Sequence, residues 1–392
     1  MNRNRLLIID DDPEIAEIYA RAGQEAGFGT RVAPSAEEFR RQLQDWLPTI
    51  VLVDLRMPGT DGIELLRLCA RERPPAKFII ASGLDHRVVE AAARLARSFG
   101  LEVIAAMIKP VRVAELVGLL QVNQAAQATT ATELEAAIVA EDIVGYWQPK
   151  LSVATRQVIG AEVLARWRHP VHGMLMPDHF IPLAESGELI QRLTWCIVER
   201  SLEQHAAWAA QGLSLPFAVN LSARCLTDLD LPDRLVDMCD RHGVDPEQLT
   251  LEITESAAMR NQIEGADILT RLRIKGIHLS IDDFGTGYSS LAQLQRLPFS
   301  ELKIDKSFVM PMMQSRDCAV IVKTVIGMAH NLGLRAVAEG VETEECLALL
   351  GEWGCDEMQG YLFSRPLAPE EVPAFMKTPV TPWPEPGRDA DG

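Results

Sequence analysis

The feature that most constrains this fold is that short apolar runs keep ending in polar residues, with amphipathic stretches between them. Up to about residue 122 the runs are LLIID (6–10), TRVAP (30–34), IVLVD (50–54), FIIAS (78–82) and VIAAMI (103–108). They alternate with helical patterns such as PEIAEIYARAGQEAG and GIELLRLCARER, which indicates a parallel sheet covered by helices on both faces. From about 133 to 377 the alternation resumes on a larger scale. Its candidate strands are 158–167, 217–222, 249–254, 278–284, 301–305, 335–340 and a short one near Met358–Leu362. Seven or eight strand–helix units over roughly 250 residues suit a (β/α)8 barrel. Between the two regions, QVNQAAQATTAT (121–132) loses apolar periodicity and reads as linker. The expected organisation is therefore a first domain at 1–122, a linker at 123–132, a second domain at 133–377 and a disordered tail at 378–392.

Composition narrows the function. A chain of 392 residues exceeds one ordinary domain, and 47% hydrophobic against 24% charged residues supports a sizeable core. A net charge of −17 argues against binding the DNA or RNA backbone, which requires a basic excess. It leaves room for a small phosphate ligand, because divalent cations invert the local charge. Seven scattered cysteines without a CxxC pair read as reduced thiols. The N-terminal apolar run is ended by acids after four residues, so it is a buried strand and not a leader. No stretch has the length and apolarity of a membrane span, and the expectation is a soluble, cytoplasmic protein with no membrane partner.

In the first domain the polar residues gather where strands stop. Asp10 and Asp11 follow the first strand, Asp54 ends the third, Ser82 follows the fourth, and Lys109-Pro110 follows the fifth. In a doubly wound sheet these edges face one crevice. Three acids there suit Mg²⁺, while a hydroxyl and an ammonium suit a phosphoryl group. Together with LVDLRMPGTDG around Asp54 and IKP at 108–110, the set resembles the receiver domains of two-component response regulators, over about residues 5–120. The resemblance implies a flavodoxin-like (βα)5 fold and Asp54 as phosphoacceptor. It also implies Asp10 and Asp11 as ligands of one Mg²⁺, Ser82 and Lys109 as phosphate contacts, and a sensor histidine kinase as partner. Ala106 stands where that family often carries a Tyr or Phe that reports phosphorylation, so signalling by aromatic rotation is not expected.

In the second domain polar residues interrupt otherwise apolar strands: Glu162, Asn220, Glu252, Asp282-Asp283, Lys303, Glu339 and Gln359. A charge on a buried strand is costly unless paired or metal-bound. Barrel chemistry occurs where the C-terminal strand ends converge. Acids plus an amide are all oxygen donors, which suits Mg²⁺ or Mn²⁺ and not zinc. His169 and His172 (HPVH) have metal-like spacing but precede a Gly-containing turn without an acidic companion, and read as a surface loop. Trp195 and Trp208, on one helix, read as core or interface.

The motifs EVLARW, NLS, EITES, DDFGTGYSSL, LKIDKSF, AEGVE and QGYLFSRP, in that order from about Tyr146 to Phe375, resemble those of EAL-domain cyclic di-GMP phosphodiesterases. With a receiver in front, the architecture is similar to response-regulator phosphodiesterases of the RocR type. The resemblance implies a TIM-like EAL barrel that hydrolyses cyclic di-GMP to linear pGpG, with two divalent cations and assembly as a homodimer or larger. Glu162, Asn220, Glu252 and Asp282 would bind one cation, and Asp282, Asp283 and Glu339 a second. Lys303 would lie beside the attacking water, and Glu339 is the alternative for positioning or deprotonating it. Gln148, Leu164, Arg166, Asp305, Glu342 and Gln359 would contact the dinucleotide, and Glu255 would steady the DDFGTGYSS loop. Phosphorylation of Asp54 would control turnover. The signature triplet is EVL here, and strand alternation sends Val163 away from Glu162 and Leu164, toward the helices. Two rival readings are a catalytically silent cyclic di-GMP receptor and a Mg²⁺-dependent lyase or isomerase of the enolase type. Retained metal-ligand positions weigh against the first and the DDFGTGYSS loop against the second.

Overall fold

A computed structural model describes residues 4–57, 60–72, 74, 76–258, 264–285 and 294–378. Loop residues 286–290 and tail residues 379–392, which carried expectations above, lie outside the described residues. The chain divides into two compact units, 1–129 and 130–392.

In the first unit, β1 (Arg5–Ile9), β2 (Gly29–Ala33) and β3 (Ile50–Asp54) precede a two-residue ladder of β4 (Arg56–Met57) with β5 (Thr60–Asp61). β6 (Lys77–Ser82) and β7 (Glu102–Ile108) complete a parallel sheet in the order β2-β1-β3-β6-β7. Alternation along each strand splits the apolar runs between two cores. Leu6 and Ile8 pack with Tyr19, Leu116 and Leu120 from helices 13–25 and 113–128. Leu7 and Ile9 pack with Phe39, Leu65, Leu66 and Val89 from the helices on the other face. Each fully buried Leu or Ile contributes about 1.5–3 kcal/mol, which is why both faces must be covered. The chain order reverses at β1/β3, so the crevice opens beside Asp10 and Asp54. Asp12 starts the first helix by accepting from the backbone N–H groups of Glu14 and Ile15, with Pro13 at its first position.

The stretch 121–132 is not irregular. Helix Val113–Ala128 runs through most of it, and helix Ala131–Val139 begins with Thr130 and Glu133 in a reciprocal capping box. Helix formation by an Ala/Gln-rich sequence needs no apolar stripe, so lost periodicity was a poor sign of lost helix.

In the second unit, β8 (Ile143–Ser152), β9 (Val158–His169) and β10 (Gly173–Leu175) are followed by β11 (Phe217–Asn220) and β12 (Leu249–Thr254). β13 (His278–Phe284), β14 (Glu301–Ile304), β15 (Arg335–Ala338) and β16 (Glu357–Met358) complete the set. The ring runs β8-β9-β11-β12-β13-β14-β15-β16 and closes on β8, giving eight barrel strands with β10 as a hairpin partner of β9. β8 is antiparallel to both neighbours, so the barrel is not a simple repetition of eight strand–helix units. This strand was absent from the sequence reading because Pro149 interrupts it.

Strand register sorts the inward side chains into layers, one layer per two residues. The lower layer holds Lys150, Glu301, Arg335 and Glu357, at the starts of the parallel strands. Lys150 Nζ lies 2.8 Å from Glu301 and 2.9 Å from Glu357, and Arg335 reaches both acids at 3.2 and 3.1 Å. Burial opposes ionisation of Glu301, yet Lys150 and Arg335 pull its carboxyl down to about 2. Two acids meet two bases, so this network is charge-balanced. It was missed in the sequence, where Glu301 and Glu357 are single acids at strand starts.

Candidate functional site

Two residues further along the same strands the balance disappears. Lys303 is fully buried, and its Nζ lies 2.8 Å from Glu252, 3.2 Å from Glu162, 3.2 Å from Asp282 and 2.6 Å from Glu339. Four carboxylates from β9, β12, β13 and the end of β15 thus share one cation. Asn220 Nδ2 donates to Glu162 at 3.0 Å and to Glu252 at 3.5 Å, while Gln359 Nε2 donates to Glu162 at 2.7 Å and to Gln148 at 3.0 Å. The pairing of Asn220 with Glu252 and of Gln148 with Glu162 across neighbouring strands makes these contacts unavoidable once the ring closes.

The excess of negative charge shows in the titration of the acids. Burial, joined by Glu162 and Asp282, pushes Glu252 well above the usual carboxylate range. Burial also raises Glu339 to about 8, against the pull of Lys303, and raises Asp283 to about 6 with help from Asp282 and Asp305. Glu162 goes the other way: burial opposes its charge, but Lys303, Gln359 and Asn220 hold it below the ordinary value. Burial works against the Lys303 ammonium too, and the four acids more than reverse it. A buried, oxygen-only cluster with surplus negative charge fits a hard divalent cation.

The remaining expected site residues are placed as follows. Asp283 adopts a φ of 55°, and its N–H donates to Asp282 Oδ1 at 3.0 Å. Glu255 accepts from the N–H of Gly285 at 2.9 Å, at the entrance to the glycine-containing loop. Gly285 has a φ of 101°, and a Cβ there would lie 2.9 Å from the Phe308 ring, so only glycine fits. Arg166 is buried and Leu164 half-buried on the same face of β9 as Glu162. Asp305 caps helix Lys306–Val309 through Ser307 N–H at 3.0 Å, and Glu342 is exposed. Among the described residues, no hydrogen bond or ion pair joins either to the Lys303 cluster.

Val163 does face the helices. Its cross-strand partner is Trp147, whose ring centroid is 4.5 Å from that of Trp208 on helix Ile190–Ala209. Trp208 is core, whereas Trp195 lies under the Arg234 guanidinium at 3.9 Å. His169 is buried at the end of β9 and not on the surface. Its Nδ1 accepts from the N–H groups of Val171 and His172 at 3.1 and 3.2 Å, so the imidazole organises the turn.

In the first unit Lys109 Nζ bridges Asp10 at 2.6 Å and Asp54 at 2.5 Å, with both acids buried. Burial raises Asp10 against the pull of Lys109. Burial also opposes the Lys109 ammonium, and the two aspartates outweigh it, leaving it raised. Asp10, Asp11 and Asp54 each offer an oxygen within 4.8 Å of the others, which suits a single hard cation. Ser82 is buried at the end of β6, and its carbonyl accepts from Lys109 N–H at 2.8 Å. Ala106 is half-buried, packed on the core shared by Val53 and Phe78. No described helix is long and apolar enough to cross a membrane.

Comparison with known proteins finds a match for each of the two units. Residues 131–366 match the EAL domain, and residues 6–121 match the response regulator receiver domain. RocR of Pseudomonas aeruginosa, a cyclic di-GMP phosphodiesterase, is 34% identical over 385 residues, which cover 95% of this chain and 98% of RocR. MucR of the same organism, a bifunctional diguanylate cyclase and cyclic di-GMP phosphodiesterase, is 40% identical over 62% of this chain, which spans only 36% of MucR. The structure of the MucR phosphodiesterase in complex with c-di-GMP superposes with a TM-score of 0.59 at 40% identity, covering 62% of this chain and 98% of that one. The EAL enzyme Bd1971, bound to cAMP and cyclic di-GMP, gives 0.60 at 28% identity over 69% of this chain and 77% of its own. The chain therefore belongs to the EAL-domain family, in the branch that places a response regulator receiver domain ahead of the EAL barrel.

Proposed function

We propose that this protein is a response regulator whose barrel hydrolyses cyclic di-GMP to linear pGpG with Mg²⁺ or Mn²⁺, under control of phosphorylation at Asp54. The observation that carries the reading is the contrast between two charged layers of one barrel: a lower one with balanced charge, closed by the half-exposed Arg335, and a buried upper one with four carboxylates on a single lysine. A structural ion network has no need of that imbalance; a cation-dependent hydrolase does.

Glu162, Asn220, Glu252 and Asp282 would hold one cation, and Asp282, Asp283 and Glu339 a second. When bound, the cations would supply Lewis acidity, acidifying a water and neutralising phosphate charge. Lys303 would offset negative charge developing at phosphorus. Burial raises the Glu339 carboxyl to about 8, so Glu339 would position or deprotonate the attacking water only once cation binding has displaced its proton. Gln148, Leu164, Arg166, Asp305, Glu342 and Gln359 would contact the dinucleotide. The direct test is incubation of purified protein with cyclic di-GMP and Mg²⁺, followed by chromatography for pGpG. Tight binding without product would instead identify a silent receptor.

Cation binding is expected to release protons. Burial raises the carboxyls of Glu252 and Glu339, the latter to about 8, so protons compete with the cation for these acids. Affinity for Mn²⁺ should therefore rise with pH, by up to about tenfold per unit for each proton displaced, and level off above about 8. Calorimetry in two buffers of different ionisation enthalpy measures the release; identical heats would contradict it.

In the receiver, Asp54 would accept a phosphoryl group from a sensor histidine kinase, with Asp10 and Asp11 on one Mg²⁺ and Ser82 and Lys109 on the phosphate. Asp54→Asn should abolish labelling by a small phosphoryl donor, read by a mobility shift on a phosphate-affinity gel. It should also make turnover insensitive to that donor. An equal response of wild type and variant would remove the regulatory link. Assembly as a homodimer or larger is part of this proposal, and light scattering reports it directly.

A further inference from the structure

Past Gln359 the chain leaves the barrel and enters a turn whose Tyr361 and Arg365 have no part in the hydrolytic scheme. Gly360 is pressed against the backbone of Val341, where an added Cβ would lie 2.1 Å from the carbonyl oxygen. The turn is pinned: Leu362 N–H donates to Val341 O at 3.0 Å, and Gln148 Nε2 donates to Ser364 O at 3.3 Å. Tyr361 emerges from it with 51% of its surface exposed, unusual for a side chain so near a buried polar cluster. The Arg365 guanidinium backs its ring at 4.6 Å from the centroid.

Across the mouth, Arg166 projects from β9 on the same face as Glu162. It is buried, with its guanidinium 5.6 Å from the centroid of the Tyr146 ring. Burial lowers its affinity for a proton, and the nearby Tyr361 and Tyr146 hydroxyls are the leading opposing influences. Among the described residues, neither Arg166 nor Arg365 has a carboxylate within ion-pair distance. An exposed aromatic face backed by a guanidinium, beside a second arginine without an acidic partner, is the arrangement that receives a flat base next to a phosphate.

We infer that Tyr361, backed by Arg365, is the surface on which one purine of the dinucleotide stacks, and that it determines specificity for a purine-bearing substrate. The inference rests on the reading of the barrel as a cyclic di-GMP hydrolase and adds a residue that recognises the base. Tyr361→Ala should raise KM for cyclic di-GMP about 10- to 100-fold, the range for losing one stacked base, and leave kcat within about threefold. Tyr361→Phe keeps the ring and should bring KM back to within about threefold of wild type. The preference for cyclic di-GMP over cyclic di-UMP should shrink in Tyr361→Ala. An unchanged KM, or a kcat loss that Tyr361→Phe shares, would overturn the inference. If wild type leaves cyclic di-GMP intact, the hydrolysis reading fails, but the stacking is still decided by calorimetry: equal Kd values for wild type and Tyr361→Ala would refute it.

Discussion

Glu162→Ala is expected to lose at least about 10³-fold in turnover of cyclic di-GMP, because it removes several kcal/mol of cation-dependent stabilisation. The side chain accepts from Asn220, Gln359 and Lys303 at once, so its position is determined from three sides. The fold should survive. Removing one of four acids around Lys303 relieves repulsion on Glu252, which burial and Glu162 together push upward. Glu162 itself is held below its ordinary value, so some ionic stabilisation goes with it, and the cation-free variant should melt only modestly below wild type while its rate collapses. A rate near wild type would sink the assignment. A rate loss accompanied by a large fall in melting temperature would show that Glu162 is structural.

Lys303→Met is expected to damage both properties. Its ammonium is the shared partner of Glu162, Glu252, Asp282 and Glu339. Deleting one side of a buried ion cluster costs about 3–5 kcal/mol, and loss of a preorganised charge at the reacting phosphate costs about 10²- to 10³-fold in rate. The two effects separate experimentally. Mn²⁺ should restore much of the melting temperature, since it neutralises the same acids, but should leave the rate low. Acidification should also restore stability in the cation-free state. Glu252 and Glu339 bind protons more tightly folded than unfolded, so their repulsion is absent at low pH and grows as pH rises through the raised values. A variant with normal melting without divalent ions would remove Lys303 from the centre of the cluster.

Much of the site was legible because acids on apolar strands are rare and costly, so Glu162, Glu252 and Asp282 drew attention as residues. The lower network was not legible. Lys150 sits beside Pro149 in a strand with little alternation, and Glu301 and Glu357 each look like ordinary strand-start acids until β8 brings Lys150 between them. His169 was misplaced for a similar reason: its spacing to His172 says nothing about the turn N–H groups its ring accepts. The helical character of 121–128 was hidden because an Ala/Gln-rich helix carries no periodic apolar mark.

The carboxylates of the barrel were determined by sequence alone in their identity, their strand positions and the direction each side chain takes, since a period of two admits only two faces. Closure of the ring decided which of them meet. One antiparallel strand joins β9 to β16, places Gln148 beside Gln359, and stacks a balanced charge layer beneath an unbalanced one. Net charge at a point in space depends on strand register between residues up to 211 positions apart, and local patterns carry no record of that register.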